Sequence, residues 1–150
     1  MPATCRLERW SHRVRPLDIF VALPTTPGGS LLSLAPIYEF LLARGFEPRG
    51  QFIHIEDWDV EFIPPATALV EEAIEQAVTR DVAGVPTRVF TAEHLAAISL
   101  QVGRLRDHAR IERFAEAEVL DPAKFQEILR RHELLGHWQQ LKERYPSLRL

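Results

Sequence analysis

The chain has 150 residues, of which 46% are hydrophobic and 26% are charged, and its formal net charge is -3. These values are typical of a globular protein that buries its own core, and we expect a single domain over residues 1–150. No run approaches the roughly 20 apolar residues of a membrane span, and the charged N-terminus does not resemble an export signal, so we expect a cytoplasmic protein. The one cysteine, Cys5, excludes an internal disulfide and multi-cysteine zinc sites.

The first predicted element is a strand within residues 14–23. Leu17 and Ile19 alternate onto one face of this strand, which predicts that this face is buried. Asp18 then lies on the opposite face. Because burying an unpaired carboxylate costs several kcal/mol, we expect Asp18 to lie near water, a cation or a metal.

The second predicted element is a helix of about three turns, which begins near Leu34 and ends near Gly45. Residues 51–55 and 58–63 are then predicted to form two strands joined by a two-residue turn. In that register Ile55 faces Trp58 and Ile53 faces Val60. The other face of this hairpin collects the polar side chains His54, Asp59 and Glu61.

Helices dominate the rest of the sequence. Residues 69–80 have the spacing of one amphipathic helix with its glutamates, including Glu72, outside, and residues 85–90 favour a strand. Thr91 and Asp121 are predicted helix caps, Asp107 is expected to begin a further helix, and a last helix stops before Pro146. The order indicates an α+β fold with a mixed sheet of about four strands flanked by helices, and a helical C-terminal part. We expect the α/β core to span residues 15–103 and the helical extension residues 104–150.

Three carboxylates on strands are the candidates for chemistry, namely Asp18, Asp59 and Glu61. Oxygen ligands converging from adjacent strands suit Mg²⁺ held against substrate phosphates, which favours phosphoryl or nucleotidyl transfer. The alternative is that Asp59 and Glu61 lie on a solvated strand face without a catalytic role.

Several segments occur in the same order as in a known family. They are residues 17–21 (Leu-Asp-Ile-Phe-Val), 60–64 (Val-Glu-Phe-Ile-Pro), 70–73 (Val-Glu-Glu-Ala), 91–98 (Thr-Ala-Glu-His-Leu-Ala-Ala-Ile) and 103–110 (Gly-Arg-Leu-Arg-Asp-His-Ala-Arg). With them the chain resembles the bacterial nucleotidyltransferase-like proteins related to abortive-infection toxins, over roughly residues 15–145. The resemblance implies a mixed sheet flanked by helices, Mg²⁺ and a nucleoside triphosphate.

The family's site consists of a Gly-Ser turn, an Asp-x-Asp pair on a strand, and a third carboxylate on a neighbouring strand. The resemblance assigns the second acid of the pair to Asp18 and the third carboxylate to Glu61, with Asp59 as the weaker choice. Pro16 stands where the first acid belongs, and no glycine precedes it. Gly28, Gly29 and Ser30 follow the strand instead. We therefore expect a divergent or N-terminally truncated member with impaired or absent catalysis, since a two-metal site depends on its bridging carboxylate.

Other residues are weaker candidates. Arg104 and Arg106 are hypothesised to contact the triphosphate, Asp107 is expected to cap a helix, and His94 is interpreted as a hydrogen-bonded structural histidine. His132 and His137 resemble a zinc-protease motif, but their spacing of five does not place them on one helix face.

The sequence also leaves the partner open. A nucleotide acceptor would be a protein, an RNA or a small molecule, and an exposed sheet edge would permit pairing with a second copy. The alternative function is a non-catalytic protein-interaction module in a toxin–antitoxin system, for which Trp10, Trp58 and the basic N-terminal residues offer contact surface.

Overall fold

A computed structural model describes residues 15–22, 33–146 and 148, and these residues form an α+β fold. Within them lie a mixed four-stranded sheet, a separate two-stranded sheet and six helices. The chain divides into two compact units, Met1–Pro64 and Pro65–Leu150, which we call the N-terminal and C-terminal units. Across the described residues, no helix combines the length and apolar character needed to traverse a bilayer.

The N-terminal unit contains the four-stranded sheet. Its elements are β1 (Arg15–Phe20), α1 (Ala35–Leu42), β2 (Glu47–Arg49), β3 (Phe52–Ile55) and β4 (Trp58–Ile63). The strand order is β1-β4-β3-β2, with β1 parallel to β4 and the other pairs antiparallel. The predicted hairpin register is confirmed, because Ile55 pairs with Trp58 and Ile53 pairs with Val60.

Three details of this unit differ from the sequence predictions. Leu17 and Ile19 are 41% and 38% exposed, so the predicted burial of this face of β1 is wrong. The buried positions, Ile53 and Val60, lie on the two central strands, whereas β1 is at an edge of the sheet. Helix α1 has eight residues and is shorter than predicted, and β2 is a strand that the sequence pattern does not reveal. Proline is compatible with the edge position of β2, since an edge strand has one unpaired side.

The C-terminal unit begins with α2 (Ala68–Glu75), followed by β5 (Val78–Val82) and β6 (Val85–Val89). The prediction of one helix over residues 69–80 is therefore wrong after Glu75. Ala83 and Gly84 both have positive φ, at 54° and 84°, which is the conformation of a tight hairpin turn. The turn lets β5, which is rich in β-branched residues, pair with β6 in a two-stranded sheet. The predicted strand at residues 85–90 therefore lies outside the four-stranded sheet.

Four helices complete this unit: α3 (Ala92–Val102), α4 (Leu105–Glu116), α5 (Pro122–Arg131) and α6 (Leu135–Arg144). Both predicted caps are confirmed. Thr91 Oγ1 accepts from the backbone N–H of His94, and Asp121 Oδ1 accepts from those of residues 123 and 124. Asp107 caps α4 from inside the helix, because its Oδ2 accepts from the backbone N–H of Arg104 at 3.3 Å.

The core of the C-terminal unit is built around α3, which contacts α2, α4, α5 and α6. Ala96 and Ala97 are fully buried, and their small side chains let the neighbouring helices approach closely. Phe125 on α5 packs edge-to-face against Trp138 on α6, with ring centroids 5.3 Å apart. This packing holds α5 against α6.

Candidate functional site

Asp18 and Glu61 lie side by side on the polar face of the four-stranded sheet. They are register partners on the parallel strands β1 and β4, and partners in a sheet project from the same face. Neighbouring strands are about 4.8 Å apart, so the two carboxylate side chains start from adjacent positions on this face. Asp18 is exposed and Glu61 is half-buried, which leaves the pair accessible.

Asp59 lies on the same face, two residues before Glu61 along β4. Its Oδ1 is 2.9 Å from Nδ1 of His54, its register partner on β3. Glu61 Oε2 accepts from Gln51 Nε2 at 3.2 Å. The sheet face therefore holds the Asp18–Glu61 pair beside a hydrogen-bonded His54–Asp59 pair.

Two adjacent carboxylates are among the ligands that a hard cation accepts. Nowhere in the described part of the chain do three or more His, Cys, Asp or Glu residues group so as to hold a metal ion. In proteins Mg²⁺ keeps several waters and is bound through one or two carboxylates together with substrate phosphates. Two adjacent carboxylates can supply the protein ligands of such a site. The register partner of Asp59 on β1 is Pro16, and proline offers no ligand atom.

The other sequence candidates belong to the C-terminal unit or fall outside the described residues. Arg104 and Arg106 stand at the start of α4 in the C-terminal unit, and both are exposed. Arg104 Nε is 4.0 Å from Asp107 Oδ2, at the limit of an ion pair. Residues 28–30, Trp10 and the basic residues before Arg15 lie outside the described residues.

A second cluster, centred on Glu72, was not anticipated. The prediction that Glu72 faces solvent is wrong, because its side chain is only 14% exposed. Arg131 binds both of its oxygens, through Nε at 2.9 Å and Nη2 at 2.7 Å. His132 Nε2 donates to Oε2 at 2.7 Å, and His94 Nε2 donates to Oε1 at 3.2 Å. One carboxylate thus joins α2, α3 and the C-terminal end of α5.

The electrostatics of Glu72 follow from these contacts. Burial alone raises the pKa of a carboxyl group. Here the hydrogen bonds from Arg131, His132 and His94 outweigh burial and lower the pKa of Glu72 from 4.5 to about 2. Glu72 therefore remains ionised at any physiological pH, and its carboxylate raises the pKa of Arg131 in return.

A cleft of about 420 Å³ adjoins this cluster. Its charged lining groups are already paired: Arg131 Nη1 binds Glu127, Glu93 accepts from the backbone N–H of Asp121, and Lys124 lies 3.9 Å from the Asp121 carboxylate. His94 is 1% exposed and its Nδ1 is 2.9 Å from the Thr91 hydroxyl, as expected for a structural histidine. We conclude that the Glu72 cluster stabilises the helices of this unit.

Sequence reasoning missed Glu72 and His132 for different reasons. Glu72 has the spacing of a solvent-facing residue, and His132 stands out only beside His137. The two histidines belong to different segments, since His132 follows α5 and His137 lies in α6. No local signal connects residues 72 and 132, which tertiary packing alone brings together.

Comparison with known proteins gave no match: neither a family model, nor a curated protein, nor a solved structure is significantly similar to this chain.

Proposed function

We propose that this chain is a cytoplasmic nucleotidyltransferase-like protein that binds a divalent cation and a nucleoside triphosphate through Asp18 and Glu61. The observation that carries the proposal is the in-register placement of these two carboxylates on adjacent parallel strands. The family resemblance of the surrounding segments adds the substrate class. Catalysis is weakened, because Pro16 stands where a further acidic ligand is expected.

Asp18 and Glu61 would hold Mg²⁺, which supplies charge neutralisation at the phosphates of the nucleotide. The side chains themselves orient the bound nucleotide relative to the sheet. Phosphoryl-transfer sites depend largely on positioning and charge stabilisation, so loss of one ligand is expected to slow turnover strongly.

Isothermal titration calorimetry with each nucleoside triphosphate tests this proposal. We expect binding in the presence of Mg²⁺ and none in the presence of a chelator. Asp18→Asn and Glu61→Gln should each weaken binding by about tenfold or more, since even outer partners of metal ligands contribute about 10–100-fold. Asp57→Asn is the matched control, because Asp57 is an exposed acid in the turn before β4. Wild-type affinity in Asp18→Asn would contradict the assignment of Asp18.

A non-catalytic interaction module in a toxin–antitoxin system is the second candidate, and one observation favours it. Leu17, Ile19 and Trp58 project from the opposite face of the sheet and are 38–41% exposed. Clustered apolar exposure is typical of a surface that binds a protein. Absence of Mg²⁺-dependent nucleotide binding in the calorimetric experiment would favour this candidate. Sedimentation velocity of the purified chain would reveal pairing of two copies through β1, an edge strand of the sheet.

A further inference from the structure

We infer that His54, held in place by Asp59, is the general base of this site and removes the proton from the hydroxyl group that accepts the nucleotide. The inference rests on the proposed function and extends it to the acceptor side of the reaction. It also assigns Asp59 a positioning role in place of metal binding.

The hydrogen bond between the two residues determines which nitrogen of His54 is available. Nδ1 of His54 is 2.9 Å from Oδ1 of Asp59. An ionised carboxylate only accepts hydrogen bonds, so Nδ1 carries the hydrogen. Nε2 of the neutral imidazole then has a free lone pair. The side chain of His54 is 26% exposed, and within the described residues Nε2 has no hydrogen-bond partner.

The register places this pair next to the proposed cation site. Asp59 and Glu61 project from the same face of β4, and two residues along a strand span about 6.6 Å. His54 pairs with Asp59, and Asp18 pairs with Glu61. A nucleotide held at the carboxylate pair would thus have a basic nitrogen within reach of a hydroxyl group approaching its α-phosphate.

The surroundings of His54 favour a role as a base. On its own strand face its cross-strand neighbours are Asp59 on β4 and Glu47 on β2, both acidic. The same arrangement of a carboxylate orienting a histidine serves proton abstraction in many enzymes.

The proposed reaction transfers a nucleotide to the acceptor hydroxyl group and releases pyrophosphate. The acceptor hydroxyl gives its proton to Nε2 of His54 while its oxygen forms a bond to the α-phosphorus. The bond between that phosphorus and the oxygen bridging to the β-phosphate breaks, and its electron pair leaves with pyrophosphate. The nucleotide is thereby joined to the acceptor.

Three variants and two measurements test the inference. The variants are His54→Ala, Asp59→Asn and, as a matched control, His137→Ala, which removes an exposed histidine of α6. Binding of Mn²⁺ with a nucleoside triphosphate is followed by water-proton relaxation. We expect all three variants to bind within about twofold of the wild type. A loss of tenfold or more in Asp59→Asn would identify Asp59 as a metal ligand and overturn the inference.

Pyrophosphate release from γ-labelled nucleoside triphosphates, with water as the acceptor, measures turnover. General-base catalysis typically contributes about 10²–10⁴-fold, so His54→Ala should lose at least about 100-fold. Added imidazole should restore part of the rate in His54→Ala and leave His137→Ala unchanged.

The outcomes separate the two proposals. If the wild type fails to bind metal and nucleotide, the proposed function fails, and the inference fails with it. If the wild type binds nucleotide but releases no pyrophosphate, or if His54→Ala turns over at the wild-type rate, the inference is overturned and the binding proposal stands.

Discussion

The substitution Glu72→Gln should destabilise the C-terminal unit in a pH-dependent way. Gln has nearly the same shape as Glu but lacks its negative charge. In the wild type that charge accepts hydrogen bonds from Arg131, His132 and His94. The pKa of Glu72 is lowered from 4.5 to about 2. Each tenfold change in a proton dissociation constant is worth about 1.36 kcal/mol, so the lowering corresponds to about 3 kcal/mol. Arg131 is 43% exposed, and water screening reduces the expected contribution to about 2–3 kcal/mol.

The direction in which the stabilisation changes with pH follows from the linkage between proton binding and folding. The pKa of Glu72 is lower in the folded state than in the unfolded state, so protons bind the unfolded chain more tightly. The stabilisation is fully present above about pH 5 and is lost as the pH falls toward 2. Wild type and Glu72→Gln should therefore differ by about 2–3 kcal/mol at pH 7 and should converge near pH 2.

Urea denaturation measures this difference. Trp138 is 2% exposed in the core of the C-terminal unit, and a Trp10→Phe, Trp58→Phe background makes its fluorescence the only tryptophan signal. Glu75→Gln, an exposed position on the same helix, is the matched control and should change stability by less than about 0.5 kcal/mol. A difference between wild type and Glu72→Gln that stays constant from pH 7 to pH 2 would refute the electrostatic explanation.

Two further substitutions test the packing of this unit with the same fluorescence assay. Asp121→Ala removes the cap that accepts from two backbone N–H groups of α5 and should cost about 1 kcal/mol; unchanged stability would mean that water replaces the cap. Phe125→Ala leaves a cavity beside Trp138 and should cost about 3–5 kcal/mol, whereas Val119→Ala, at a half-exposed position, should cost little. Equal effects of Phe125→Ala and Val119→Ala would contradict the assignment of Phe125 to the core.

Local patterns predict much of the secondary structure. The hairpin register of β3 and β4 follows from the alternation of Ile53, Ile55, Trp58 and Val60, since slipping by one residue would turn every apolar side chain to the wrong face. The caps at Thr91 and Asp121 follow from residue type, because a side-chain oxygen at that position satisfies N–H groups of the first turn. The polar face of this hairpin, which carries His54, Asp59 and Glu61, is predictable for the same reason as the register.

Local patterns fail where a segment is compatible with two structures. Residues 76–80 continue the spacing of α2, yet the chain leaves the helix after Glu75, and from Val78 onward the hairpin with β6 satisfies the backbone groups instead. Arg88 on β6 reinforces this choice, since its guanidinium donates to the carbonyl oxygens of Ile74, Glu75 and Ala77 at the end of α2. The competing hairpin depends on a turn in which both Ala83 and Gly84 have positive φ. Alanine rarely adopts a positive φ, so the residue type at position 83 does not predict this turn.

The sequence by itself determined the class of fold, the helix boundaries marked by caps, and the face of the sheet that carries the carboxylates. These features depend on contacts between residues that are close in the chain or related by a simple period. Tertiary structure alone decided that β1 lies beside β4, which brings Asp18 next to Glu61, and that Glu72 lies beneath Arg131 and His132. Such contacts join residues about 40 to 60 positions apart, and packing rather than local pattern selects them.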